Sequence, residues 1–149
     1  MQIVGMTVDE FRDCDDALAL VEEYHAECAG EAFTGFAPNW DVYRELEDIG
    51  RLAVITAVTG SHLVGFAVVV FAGPSPHFAG AEIATLESLF VGAGSRATGA
   101  GLKLWREAKA RAEAMGATHI AMSAGVGTQA ERLYSLLGHR TGSTFIAKL

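Results

Sequence analysis

Cysteine, basic charge and long apolar runs are all scarce in this chain, and each scarcity excludes something. There are two cysteines in 149 residues, Cys14 and Cys28. They fall in one helical pattern, about 21 Å apart at 1.5 Å per residue, too far to be bridged within that helix. The expectation is two buried thiols of a reducing compartment. The opening stretch MQIVGMTVDEFRD has neither a basic region nor a long apolar core, so it does not read as a signal peptide. The longest apolar run, around LVGFAVVVFAG (63–73), is too short to span a bilayer. A soluble, cytoplasmic protein with no membrane partner is expected. A net charge of −7 argues against a nucleic-acid partner, because phosphate contacts need clustered Lys and Arg. No Cys/His cluster has metal-ligand spacing, and Ser123 lacks a G-x-S-x-G setting, so neither a metal site nor a serine hydrolase is indicated.

What is present is half hydrophobic, with modest charge and enough length for one domain, 1–149, with a substantial core. The charge is unevenly placed. Residues 1–49 hold 13 acids and two arginines, Arg12 and Arg44, while residues 50–149 hold five acids and nine bases. The two halves, −11 and +4, are expected to meet different things.

Residues 2–6 read as a short strand. TVDE (7–10) has capping-box spacing, and Phe11, Cys14, Leu18, Val21 and Cys28 continue at helical intervals, predicting one helix to about Cys28. A Gly- and aromatic-rich loop follows (29–40), then a short helix over 41–50 stopped by Gly50. Two β-branched runs flank Thr59–Gly60–Ser61, a hairpin signal. After a loop at 73–81, EIATLESLFV (82–91) reads as a strand, 101–115 as an amphipathic helix stopped by Gly116, and 118–124 as a strand. A helix over 128–138 and a strand over 142–149 complete the chain. The fold class is α+β, with a mostly antiparallel sheet, helices on both faces and one β–α–β unit at 82–124.

Three small residues, Gly99, Ala100 and Gly101, stand where the third helix begins. A helix start offers unpaired N–H groups and partial positive charge, and glycine lets the backbone approach an anion closely. The dinucleotide pattern G-x-G-x-x-G/A fits GAGSRA (92–97) and GVGTQA (125–130). After the first, the next strand ends in Ser123–Ala124–Gly125 with no ribose-binding acid; after the second, too little chain remains for another βαβ unit. A plain Gly-rich turn is the bland alternative. A third pattern, R/Q-x-x-G-x-G/A, fits Arg96–Ala97–Thr98–Gly99–Ala100–Gly101.

That pattern, opening a helix after LESLFV and followed late by LYSLLGHR, resembles motif A of the GNAT superfamily of N-acetyltransferases. The order of segments over the whole chain is most similar to the small GNAT proteins of bacteriophage and prophage genomes. The resemblance implies a GNAT-like fold and acetyl-CoA (coenzyme A) as co-substrate, with no metal. It also implies that Arg96, Ala97, Thr98, Gly99, Ala100, Gly101 and Leu102 hold the pyrophosphate, with Thr128 added to the cofactor set. A bulge is implied near Leu89, Phe90 and Val91, whose splayed backbone would pair with pantetheine. The family often has Asn where this chain has Gly127, so that pantetheine contact is missing, and its LGF is here Leu137–Gly138–His139.

Acyl transfer from a thioester needs a deprotonated amine, a stabilised oxyanion and an acid for the departing thiolate. The resemblance offers Tyr134 as the acid; packing beside Leu133 and Leu137 is its alternative. Glu87, in an otherwise apolar strand, is the candidate base; alternation puts it on one face with Leu89 and Val91. His77, in the loop PSPHFAG, is a second candidate, since histidine ordinarily titrates near neutrality. His25, His62, His119 and His139 read as structural. Trp40, Phe36 and Tyr43 could line an acceptor pocket or a small core. Direct transfer to a primary amine in a ternary complex is the leading reading, because no nucleophile for a covalent intermediate stands out. A non-catalytic acyl-CoA-binding module is the alternative. The partner expected is a small-molecule or peptide amine, with a homodimer left open. The acidic first half predicts an acceptor with more than one positive charge, such as a polyamine, an aminoglycoside-like amine or a basic peptide end.

Overall fold

The computed structural model describes residues 1–28 and 37–142. Residues 143–149 of the expected last strand and 29–36 of the expected loop lie outside them. The elements run β1 (Gln2–Met6), α1 (Val8–Arg12), α2 (Asp15–Cys28), α3 (Trp40–Asp48), β2 (Leu52–Thr59), β3 (His62–Pro74), β4 (Glu82–Val91), a 3-10 segment (Ala93–Thr98), α4 (Ala100–Ala114), β5 (His119–Met122) and α5 (Gln129–Leu137).

The predicted capping box is formed. Thr7 Oγ1 accepts from the Glu10 N–H at 3.2 Å, and the Glu10 carboxylate accepts from the Thr7 N–H at 2.8 Å. The single helix expected through Cys28 is not. It ends at Asp13 and restarts at Asp15. Asp13, Asp15 and Asp16 favour helix ends over interiors, and the new first turn uses two of them against its own partial positive charge. Asp16 also accepts from the Leu63 N–H at 3.1 Å, fastening the restart to β3. The break leaves Cys14 half-buried at the junction, whereas Cys28 is exposed, not buried as expected.

The sheet order is β1-β2-β3-β4-β5. The first four strands form an antiparallel meander. The β2–β3 hairpin closes between Thr59 and His62, with Gly60 at φ +64°. β5 is parallel to β4, which confirms the β4–α4–β5 unit.

Two cores clasp this sheet. On one face Ile55, Ala67, Val69, Ala84, Leu86 and Val91 meet Leu104, Trp105, Ala108 and Ala112 of α4. On the other Val54, Phe66, Val68 and Phe90 meet Val8 and Phe11 of α1 and Ala17, Leu20 and Val21 of α2. The one buried polar residue named among these strands, Thr56, gives its hydroxyl proton to the Val4 carbonyl at 3.0 Å. No helix among the described residues is long and apolar enough to cross a membrane.

Gly65 on β3 faces the end of β4 and the side of α4. A Cβ there would lie 2.7 Å from the Phe90 carbonyl oxygen and 3.2 Å from side chains of Leu104 and Val91. At Gly101, by contrast, the nearest atoms would be at 3.8 Å or beyond, an ordinary contact. Gly65→Ala is therefore expected to cost about 1–3 kcal/mol, read as a lower denaturation midpoint with unchanged slope, and Gly101→Ala to cost little. Equal stabilities for the two variants would contradict this packing.

Candidate functional site

β4 carries the irregularity around which the site is built. Ser88 stands opposite Val68 and Leu86 opposite Val69, so Glu87 has no partner on β3. The extra residue reverses the alternation. Leu86, Leu89 and Val91 pack on the α4 side, while Phe90 belongs to the opposite core. Glu87 and Ser88 line a cleft on the α1–α3 side. Glu87 thus does not share a face with Leu89 and Val91 as alternation predicts, and the bulge lies at Glu87 rather than at Leu89–Val91. On its other edge, β4 pairs with β5 only from Ile83 to Leu86. Among the described residues no strand covers that edge over Leu89, Phe90 and Val91.

The chain then turns through the 3-10 segment into α4. Gly99 is the N-cap at φ +77°, a conformation that favours glycine. The first α-helical bond runs from Lys103 N–H to Gly99 O at 3.2 Å, so the amides of Ala100, Gly101 and Leu102 precede the helix ladder. No acid occupies the first turn, and nothing lies within 4 Å of the Cβ direction at Gly99. These features fit an anionic group. Gly101 sits where α4 passes Leu89, Val91 and Leu133. The Thr98 hydroxyl is turned back to the Ser95 carbonyl at 2.6 Å.

Arg96 is tied into the protein. Its Nε donates to the Val91 carbonyl at 2.9 Å, and its guanidinium pairs with Glu27 and, at 3.9 Å, with Glu23 of α2. It also stacks over Phe90 at 5.3 Å. Glu23 accepts from the Ala93 N–H at 2.9 Å. The side chain therefore shapes the loop ahead of α4.

The cleft beside Glu87 has a volume of about 120 Å³, with Phe11, Tyr24, Trp40, Tyr43 and Phe66 among its walls. It adjoins a wider groove of about 370 Å³ that shares Tyr43 and Glu87. Burial, with smaller contributions from Cys28, Glu87 and Tyr43, pushes the Tyr24 phenol up to about 12. Tyr43 is raised by burial and then by Glu87. Tyr134, half-buried on α5 against the α4-side core, is raised by burial first, then by Tyr24 and Cys28.

The Acetyltransferase (GNAT) family model matches residues 10–139. The chain belongs to that family. Solved structures share its fold. A ribosomal-protein-alanine N-acetyltransferase from Brucella melitensis biovar Abortus 2308 superposes with TM-score 0.72 at 16% identity, covering 100% of both chains. The aminoglycoside N-acetyltransferase AAC(6′)-Iy, solved with CoA, gives 0.72 at 15% over 99% of this chain and 98% of its own. A protein described as a transcriptional regulator from Bacillus halodurans C-125 gives 0.74 at 21%, over 99% and 98%. No curated protein matches by sequence.

Other sequence candidates of this GNAT protein fall elsewhere. His77 is exposed in the β3–β4 connection, its ring edge-on to Phe78 at 6.5 Å. Glu82, just past that connection, pairs with Pro74. His77 lines neither the cleft nor the wider groove that Glu87 borders. Thr128 is the N-cap of α5, accepting from the Glu131 N–H at 3.2 Å and donating to the Gly125 carbonyl at 2.8 Å. Several acids of the first half are engaged: Glu23 and Glu27 as above, Glu47 on the Val8 N–H at 3.0 Å, and Asp41 on Arg44 at 2.9 Å. Tyr24 was missed in the sequence, although it is the one hydroxyl on the apolar stripe Leu20, Val21 and Tyr24.

All three tyrosines of the chain, Tyr24, Tyr43 and Tyr134, are held above the ordinary 10.0. Ultraviolet titration of the native protein is expected to show no phenol ionising near pH 10, and all three doing so once it is denatured. The unfolded chain loses these protons first, so stability should fall as pH rises from about 10 toward 12, and fall less in Tyr24→Phe. A native tyrosine titrating at the ordinary value would contradict the burial.

Proposed function

We propose that the protein transfers the acetyl group of acetyl-CoA to a primary amine directly, in a ternary complex. The observation that carries the reading is the juxtaposition of three features: the uncovered β4 edge, the acid-free N-terminus of α4 and the Glu87 carboxylate at the cleft. Backbone amides around Gly99, Ala100, Gly101 and Leu102 receive the pyrophosphate, with Ala97 and Thr98 completing the turn and Arg96 fixing its shape. Leu89, Phe90 and Val91 pair with the pantetheine arm as an added strand, and Thr128 closes the far side. Acetyl-CoA supplies the thioester. Glu87 accepts a proton from the bound ammonium. The amine nitrogen then bonds to the thioester carbon, the C–S bond breaks and Tyr134 protonates the departing sulfur, while the second proton shed by the acetylated nitrogen returns through solvent to the tyrosinate, leaving a neutral amide and free CoA thiol. The raised tyrosine keeps that proton at neutral pH. His77 is the second candidate for the base. We also read the protein as cytoplasmic and of the phage type, on its unpaired thiols and the order of its segments.

Acetyl-CoA at ~100 times its dissociation constant should stabilise the protein by about 2.7 kcal/mol in a thermal-shift assay, with no shift from NAD. Gly99→Asp should remove that shift. A shift with NAD and none with CoA would sink the reading.

With an amine added, free CoA thiol should appear, which a non-catalytic binding module would not release. Tyr134→Phe should lower turnover ~10²-fold with little change in acetyl-CoA affinity. Glu87→Gln should remove the acidic limb of the pH–rate profile. If that limb survives and is lost instead in His77→Ala, the histidine is the base.

A further inference from the structure

The cleft beside Glu87 has a composition that the charge of the first half does not suggest. Its rings form a continuous wall. Phe11 lies 5.3 Å from Phe66 and 6.5 Å from Trp40; Trp40 lies 6.1 Å from Tyr43, and Tyr24 lies 5.9 Å from Phe66. Valines fill much of the remaining surface, and among the described residues Glu87 is the only charged side chain on it. The wider groove adds one amide, Asn39, and one hydroxyl, Thr85, but no second charge. Among the described residues no acid of the first half lines either cavity, and Glu27, Asp41 and Glu47 are directed at Arg96, at Arg44 and at the Val8 N–H.

Three physical consequences narrow the acceptor. An apolar cavity of about 150 Å³ takes benzene, so about 120 Å³ suits one ring or a short branched chain. Aromatic faces attract a single ammonium and the apolar carbons beside it. A polyamine or amino sugar would bring several further ammonium and hydroxyl groups to a wall whose polar groups, besides Glu87, are the hydroxyls of Ser88, Tyr24 and Tyr43, and polar groups buried without a partner are penalised.

We propose that the acceptor is a monoamine on a compact apolar body, an aryl-alkyl or branched-alkyl primary amine. Its body lies among Phe11, Tyr24, Trp40, Tyr43 and Phe66, and its one ammonium lies at Glu87. This rests on the amine-acetylation reading above. It departs from the polycation that the charge split predicts and from the aminoglycoside substrate class of one structural neighbour.

The test compares phenethylamine and isoamylamine with spermidine and kanamycin, reading kcat/KM from CoA release at low and high salt. The monoamines should exceed both polycations by at least ~10-fold, with kcat/KM nearly independent of salt because only one charge pair is involved. Trp40→Ala should raise the KM for phenethylamine ~10-fold while leaving the acetyl-CoA thermal shift intact, which also shows that the variant folds. Phenethylamine alone should raise the melting temperature of the wild type and not of Trp40→Ala. Spermidine or kanamycin preferred, with salt-sensitive kcat/KM, would overturn the acceptor class while leaving acetyl transfer standing. A phenethylamine shift without CoA release would overturn acetyl transfer and leave the monoamine cleft standing.

Discussion

One unpaired residue in one strand governs the rest of this molecule. Glu87 has no partner on β3, and that single insertion changes which face every later residue of β4 presents. Before it, Ala84 and Leu86 face α4. After it, Leu89 and Val91 do so again, at odd rather than even positions, and Phe90 crosses to the α2 side. By alternation from Leu86 the glutamate faces the cleft, and the insertion keeps Ser88 on that side while returning Leu89 to α4. The irregularity also marks where β5 stops pairing, so the uncovered strand edge and the carboxylate adjoin at one point of the backbone.

Around that event the protein is held mainly by apolar packing. The ion pairs of α1 and α3, such as Arg12 with Asp9 and Arg44 with Asp41, are exposed and contribute little. What positions the site is the two-sided clasp of the sheet: α4, with Gly101, below Leu89 and Val91, and the rings of α1, α2 and α3 above Phe66 and Phe90. Tyr24, Tyr43 and Tyr134 pack against the two cores, which is why burial dominates the rise of all three.

The sequence carried the local features well. Thr59–Gly60–Ser61 specified a hairpin, the capping box at Thr7 a helix start, and Arg96 to Gly101 a glycine-opened helix, because each signal lies within a few residues. It failed where two local rules competed or where the partner was distant. The stripe Phe11, Cys14, Leu18 continued a helical period through Asp13 and Asp15, yet the aspartates' preference for helix ends prevailed. In EIATLESLFV six of ten residues are apolar and the polar Glu82, Thr85, Glu87 and Ser88 follow no period of two, so alternation carried no consistent phase and the bulge could not be seen. Tyr24 and the cleft rings come from four separate elements. Thr128 was placed in the cofactor set and inside the last helix; the structure uses its hydroxyl to cap that helix.

The clamp between Arg96 and α2 joins residues 69 positions apart, and the bond from Ala93 to Glu23 spans 70. Closing chain segments of that length is entropically costly and slow compared with forming a hairpin or a helix turn. The glycine-opened loop looks like a self-contained signature when written as six letters. As a folding event it is one of the least local parts of the protein, since the shape of its leading edge is set by an acidic helix synthesised long before it. A fragment holding only the β4–α4–β5 unit would keep the signature and lose the carboxylates that shape its approach.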